Sequence, residues 1–137
     1  MEGCVFCEIA SNAERNMASI IYEDDECIVV PDMYPSSYGH LLVISKGHYE
    51  NMIETPDDMV CHAFKIAKAF AKVQVAKLNA EAVNVATNIG ELAGQIIMHF
   101  HVHVIPRYGH DNSHPGFKEH AEISDEYRAE MKRLLSA

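Results

Sequence analysis

The sequence predicts an α+β domain built on a mostly antiparallel sheet. Strand-like segments at 19–23 and 26–30 flank an acidic turn, which is the pattern of a hairpin. One long amphipathic helix is predicted between residues 56 and 79, and a period-two strand between 98 and 105. With 137 residues, of which 48% are hydrophobic, the chain suits a single domain with one core.

The first third of the chain contains a short helix and three strands. Residues 4–10 predict a short apolar helix, and the hairpin at 19–30 follows it. Residues 31–39 contain two prolines, two serines and a glycine, so this segment is predicted to be a loop. The continuous apolar segment 41–45 predicts a buried strand.

The middle of the chain is dominated by the long helix. Thr55 is expected to cap it and Pro56 to occupy its first position, with acidic residues following at the positive end of the helix dipole. The helix is predicted to end near Asn79. Its buried face repeats every three to four residues and comprises Met59, Ala63, Ala67, Phe70 and Gln74.

Two further strands and a final helix complete the order α-β-β-β-α-β-β-α. Residues 82–87 predict a strand, 88–95 a turn with two glycines, and 98–105 the second strand. Residues 124–135 predict a helix that is acidic at its start and basic near its end. Helices joined to hairpin-linked strands indicate an α+β architecture.

Charge and cysteine content narrow the functional class. The formal charge is −9, with 11 basic and 20 acidic residues, which argues against a general nucleic-acid binder. No apolar segment approaches the ~20 residues of a membrane span, and the first residues lack a secretory signal pattern. We therefore expect a cytoplasmic protein with reduced cysteines, and we expect Cys27 and Cys61 to be core residues.

The segment from His99 to Arg107 carries the strongest functional signal. Three histidines alternate with apolar residues, so a strand would place them in a row about 7 Å apart, opposite an apolar face. The histidines are His99, His101 and His103, and the apolar residues are Phe100, Val102 and Val104. From the residues alone, such a row can be a surface feature, chelate zinc, or perform acid–base or covalent catalysis.

This pattern resembles the histidine-triad (HIT) nucleotide-binding superfamily. The triad has the family's order, and five other segments resemble family motifs in the right sequence, so the likeness runs from about residue 3 to 107. Residues 108–137 would be a C-terminal tail and helix of one single domain, 1–137. The matching segments are Cys4–Ile9, Ile21–Glu26, Gly39–His48, Ala93–Gln95 and Ile105–Arg107.

The resemblance implies roles at the phosphate. His101 would be the nucleophile that attacks the α-phosphate of a nucleotide, forming a nucleotidyl-histidine that water then hydrolyses. His103 and Gln95 would contact phosphate oxygens, His99 would complete the catalytic row, and Asn88 would line the phosphate end. Backbone groups of Gly94 and Ile96 would approach the phosphate closely.

The resemblance also implies a substrate and a nucleoside pocket. Asp32 would bind the ribose hydroxyls, and the purine would pack on Phe6, Ile9, Val30 and Met33. The substrate would be a purine nucleotide conjugate, either an adenosine phosphoramidate or a dinucleoside polyphosphate. Ile96 stands where many relatives carry Ser or Thr, so this chain lacks a hydroxyl beside the leaving group.

A structural zinc and a two-fold dimer are further implications of the family. By spacing alone, Cys4 and Cys7 can be packed thiols or a redox pair. In the family such a pair joins the loop histidine and the first triad histidine, which correspond to His48 and His99, in a closed zinc site. The long helix resembles the family's dimer helix. Two alternatives remain: a nucleotide-binding scaffold with incidental hydrolysis, and a hydrolase with zinc on the triad itself.

Overall fold

The computed structural model describes residues 3–11, 20–109, 114 and 116–136, and it confirms the α+β prediction. The elements are α1 Val5–Ala10, β1 Tyr22–Glu23, β2 Cys27–Pro31, β3 Leu41–Ser45, α2 Asp57–Leu78, β4 Ala82–Ala86, β5 His101–Arg107 and α3 Asp125–Leu135, with 3-10 turns at Met52–Glu54 and Glu91–Ala93. The five strands form an antiparallel sheet in the order β1-β2-β3-β5-β4. The predicted start of the first strand at Ser19 lies outside the described residues.

The first face of the sheet packs against the long helix. Side chains alternate along each strand, so every second residue of β2, β3 and β5 faces α2. The predicted helix face is confirmed, because all five of its residues are buried and Leu78 extends it. The core on this side is formed by Val29, Leu41, Val43, Phe100, Val102, Val104, Met59, Ala63, Ala67 and Phe70, joined by Met131 and Leu135 of α3.

The second face carries the histidines. In the register of β3 with β5, Ile44 pairs with His101 and Leu42 pairs with His103. Ile44 and Leu42 belong to a second apolar cluster, which the short helix α1 covers with Phe6. The register therefore places the two histidines on the α1 face of the sheet, away from α2.

The last strand begins later than predicted, at His101 rather than at residue 98. The Phe100 N–H donates to the Tyr49 carbonyl, and the His99 N–H donates to the carbonyl of Ile97. Both N–H groups therefore donate outside the sheet, although the Phe100 carbonyl still accepts from the Ser45 N–H of β3 at 3.4 Å. His99 lies just before the strand, and its ring faces Cys4 and Cys7.

The start of α2 also differs from the prediction. Pro56 is the cap residue, no side chain caps the helix, and the first helical residue is Asp57. The Thr55 hydroxyl donates instead to the carbonyl of Asn51, because a 3-10 turn immediately precedes the helix and leaves that carbonyl within reach. The predicted cap was wrong because this turn has no clear sequence signal.

Gly39 provides a test of how tightly the loop between β2 and β3 packs. Its φ is +93°, and a Cβ there would clash with the Leu78 side chain. Gly116 also has positive φ, at +80°, but a Cβ there would meet nothing within 4 Å. We expect Gly116→Ala to cost about 1–2 kcal/mol of unfolding free energy, and Gly39→Ala to cost about 1–3 kcal/mol more through overpacking. Urea denaturation measures both, and equal losses would contradict the packing argument.

Candidate active site and metal centre

His101 is held in one orientation by the backbone just before it. Its Nδ1 lies 2.6 Å from the carbonyl oxygen of His99. A carbonyl only accepts, so Nδ1 carries the proton and Nε2 keeps a free lone pair. Burial lowers the pKa of His101 below its usual value, although the hydrogen bond to His99 opposes this. The side chain is therefore a neutral imidazole with a nucleophilic nitrogen at a fixed position.

A hydrogen bond with His40 determines the tautomer of His103. The Ser36 N–H donates to Nδ1 of His40 at 3.0 Å, so the proton of the neutral His40 ring is on Nε2. That Nε2 lies 2.9 Å from Nδ1 of His103, which must accept, and the proton of His103 is therefore on its own Nε2. Burial lowers the pKa of His40 to about 4, which keeps the ring neutral. His101 thus presents a lone pair on Nε2, and the neighbouring His103 presents an N–H donor on its own Nε2.

Sequence reasoning missed His40. The residue is almost fully buried and comes directly before β3, but its partner is 63 positions away on β5. The only sequence signal is its place at the start of a strand that pairs with the histidine strand. Without the register, that position does not distinguish a site residue from a buried loop residue.

Asp32 lies close to the histidine row through His40. Its Oδ2 is 3.4 Å from Nε2 of His40, and its Oδ1 accepts from the Tyr34 N–H at 2.8 Å. The Asp32 N–H donates to the His40 carbonyl, which closes the loop between them. This predicted ribose contact therefore stands at the edge of the same site, with one carboxylate oxygen held by the backbone.

Gln95 has a different environment from the predicted one. Its Nε2 donates to the carbonyls of Glu50 and Ile97, and its Oε1 accepts from the Gly90 N–H. The side chain is 2% exposed, so its amide donors are engaged within the protein. In this structure Gln95 holds the 90–97 loop against residue 50, and its contact with a phosphate stays a prediction.

Some of the other predicted contact residues are buried, and others are exposed to solvent. Asn88 donates to the Gly94 carbonyl at 3.4 Å, so these two residues lie together in the turn. The structure buries three of the predicted purine contacts, Phe6, Ile9 and Val30, and leaves Met33 exposed. Most of the surface that a base can contact is therefore at Met33 rather than at the buried three. Ile96 is 89% exposed, so its side chain projects into solvent.

Four metal-ligating side chains converge between α1 and the histidine segment. The Cys4 Sγ lies 3.3 Å from Nδ1 of His99, and the Cys7 Sγ lies 3.2 Å from Nδ1 of His48. The two Nδ1 atoms are 3.2 Å apart. Nε2 of His99 lies 2.7 Å from the Ser45 carbonyl, so it carries the proton and leaves Nδ1 free to ligate. Two thiols and two imidazoles at such spacings fit a tetrahedral zinc site.

A second group of potential ligands has a different geometry. Asp24, Cys27 and His62 also lie close together, but Nε2 of His62 is only 2.7 Å from Oδ2 of Asp24, which is a hydrogen-bond distance. The same oxygen accepts from the Tyr22 hydroxyl. This group, which we call the hairpin anchor, is satisfied by its own hydrogen bonds and connects the first hairpin to α2. Cys27 is buried as expected, whereas Cys61, expected in the core, is exposed.

Comparisons with known proteins place the chain in a family. The HIT domain matches residues 13–110. The chain is 37% identical over 130 residues to an uncharacterised HIT-like protein of Methanocaldococcus jannaschii, covering 94% of this chain and 98% of that protein. It is 36% identical over 108 residues to an adenylylsulfatase of Arabidopsis thaliana, covering 79% of this chain but only 54% of that protein.

A solved structure agrees with the fold. A zinc-bound histidine-triad family protein of Mycobacterium smegmatis superposes with a TM-score of 0.83 and 32% identity, covering 98% of this chain and 91% of that one. The chain belongs to the HIT family of nucleotide-binding hydrolases and transferases. Across the described residues, none of the helices combines the length and apolar character that crossing a membrane requires.

Proposed function

We propose that this protein hydrolyses the α-phosphate linkage of purine nucleotide conjugates, with His101 as the nucleophile. The observation that carries the proposal is the bond from His101 Nδ1 to the carbonyl of His99, since it leaves Nε2 unprotonated. A nucleophile at phosphorus needs a lone pair, and a neighbouring donor must compensate the charge on the phosphoryl oxygens. His103, with its proton on Nε2, is that donor.

The reaction proceeds in two displacements at phosphorus. Nε2 of His101 forms a bond to the α-phosphorus while the bond to the leaving group breaks, and the leaving group departs with the electron pair. Water then attacks the same phosphorus, the bond to His101 breaks, and the nucleoside monophosphate leaves. Every covalent change occurs between His101, the substrate and water, so no redox partner is required.

The substrate is a nucleoside 5′-phosphate conjugate, with adenosine phosphoramidates and dinucleoside polyphosphates as the candidate classes. Asp32 would bind the ribose hydroxyls, with the base at Met33 over the buried apolar floor. Ile96 offers no hydroxyl to protonate a departing amine, so leaving groups that are stable as anions are favoured. The similarity to an adenylylsulfatase, whose name describes an anionic leaving group, supports the same direction.

Replacement of His101 by glutamine tests the nucleophile. We expect wild-type protein, incubated with an AMP–amine conjugate or with diadenosine tetraphosphate and quenched in cold alkaline denaturant, to carry a mass increase of one AMP on His101. In His101→Gln the adduct should disappear, and kcat should fall on the order of a thousandfold or more, because no other side chain provides the lone pair.

The matched control is His62→Gln, which makes the same substitution at a histidine of the hairpin anchor. It should retain both the adduct and the turnover. Hydrolysis that persists in His101→Gln would contradict the proposal. Loss of turnover with AMP binding retained is the expected enzyme signature, whereas a scaffold with incidental hydrolysis would keep its partner function in His101→Gln.

We further propose that zinc binds between Cys4, Cys7, His48 and His99. Bound there, it would supply a structural crosslink between α1 and the segment that leads into β5. The four side chains fill a tetrahedral set, which leaves no open position for substrate. Another group within the described residues, Asp32, His40 and His103, contains a triad histidine but offers only three ligands, and none of the groups includes His101, the proposed nucleophile.

Replacement of both N-terminal cysteines tests the metal site. We expect the Cys4→Ser/Cys7→Ser double variant to lose its zinc and about 3 kcal/mol or more of unfolding free energy, because binding to the folded state alone contributes directly to stability. Elemental analysis of the purified protein and thermal unfolding measure the two effects. Cys61→Ser, at an exposed cysteine, should change neither. One zinc per chain retained in the double variant would instead place the metal elsewhere, for example on the triad.

A two-fold dimer and a cytoplasmic location complete the proposal. β4 is an edge strand, Val85 on it is 40% exposed, and Val75 on the adjoining α2 is 50% exposed. An apolar edge of this kind suits pairing with a second copy of the chain. The site Cys4 and Cys7 would form needs reduced thiols, which is consistent with the cytoplasm.

A further inference from the structure

All four polar groups of the two peptide units that precede His40 form hydrogen bonds. The Gly39 N–H donates to the Tyr127 hydroxyl at 2.9 Å, and the Tyr38 carbonyl accepts from the Tyr108 hydroxyl at 2.6 Å. The Gly39 carbonyl accepts from Nε2 of Gln74, and the His40 N–H donates to the Ser37 carbonyl. Two of these four partners are tyrosines that follow the histidine strand in sequence.

The C-terminal segment makes further contacts with the same loop. The His120 N–H donates to the Pro35 carbonyl at 2.8 Å, and the Ile123 N–H donates to the Met33 carbonyl at 3.0 Å. Residues 33–39 are thus bonded on one side to the core and on the other side to the segment leading into α3. Tyr127, in the first turn of α3, lies outside residues 13–110, over which the HIT domain matches.

We propose that Tyr127 is a positioning residue for His40 and, through it, for the proton on Nε2 of His103. The inference rests on the proposed function in one respect, since it takes His103 to be the donor to the phosphoryl oxygens. The hydroxyl of Tyr127 is the acceptor for the Gly39 N–H, one residue before His40. That bond places the His40 ring where it meets Ser36 on one side and His103 on the other.

The loop has little freedom to compensate for loss of this bond. Gly39 has positive φ, and Leu78 occupies the space where a side chain at this position would stand, so the loop is closely packed here. Mainly through burial, the pKa of Tyr127 is raised to about 12, so the phenol stays neutral. Without the hydroxyl, a buried N–H is left without its acceptor, and the loop must shift to reach another one.

The test is Tyr127→Phe, which removes one oxygen, compared with Tyr22→Phe. The hydroxyl of Tyr22 donates to Asp24 in the hairpin anchor, so the control also loses one partly buried phenol hydrogen bond, but far from the His40 loop. On both variants we would record the ring ¹⁵N–¹H spectrum of ¹⁵N-histidine-labelled protein, kcat and KM for diadenosine tetraphosphate, and thermal unfolding.

In Tyr127→Phe we expect the ring nitrogens of His40 and His103 to lose their single tautomer, and kcat to fall about fivefold with a smaller change in KM. Tyr22→Phe should keep the wild-type histidine spectrum and kcat even where its thermal stability falls equally. A Tyr127→Phe spectrum and kcat that match those of Tyr22→Phe would overturn the proposal and assign Tyr127 a purely structural role.

The spectrum separates this inference from the proposed function. If the wild type hydrolyses neither substrate and forms no adduct, the proposed function fails, yet a loss of the His40 and His103 tautomers in Tyr127→Phe still supports positioning. If the wild type does hydrolyse and the tautomers are unchanged in the variant, the positioning fails and the function stands.

Discussion

The hydrogen bond from His101 to the carbonyl of His99 is the constraint on which the rest of the site depends. It fixes the ring and its tautomer together, so the nucleophilic lone pair has one direction. The carbonyl is itself fixed, because the His99 ring bonds to Ser45 and faces Cys4 and Cys7. The N-terminal helix, the metal-ligating group and the nucleophile are therefore connected. A displacement of α1 would change the position of His101 through His99.

The two faces of the sheet have different roles, one in stability and the other in the candidate active site. One face builds the main core with α2 and α3, while the other face carries the histidines under a short helix. Because burial keeps His40 and His101 neutral, the site presents oriented dipoles rather than fixed positive charge. In a chain with a formal charge of −9, such dipoles give an anionic substrate a local site that does not depend on long-range attraction.

The parts that sequence predicts well are those set by local patterns. The buried strand Leu41–Ser45, the apolar face of α2 and the alternation of His101 with Val102 follow from periodicity alone. Such patterns do not predict the hydrogen bonds of side chains whose partners are distant or irregular. Thr55 bonds back into a 3-10 turn, Gln95 bonds to a carbonyl 45 residues away, and His40 meets His103 only through the sheet register. A sequence shows which side chains can form hydrogen bonds, but the tertiary structure determines which partners they bind.

The most direct test of the central claim is the tautomer of His101 in the intact protein near pH 7. In ¹⁵N-histidine-labelled protein, two-bond correlations from the ring carbon protons distinguish a protonated Nδ1 from a protonated Nε2. The geometry predicts a neutral ring with the proton on Nδ1 and a bare Nε2. A ring protonated on Nε2, or an imidazolium with protons on both nitrogens, would leave no lone pair facing the substrate and would contradict the account.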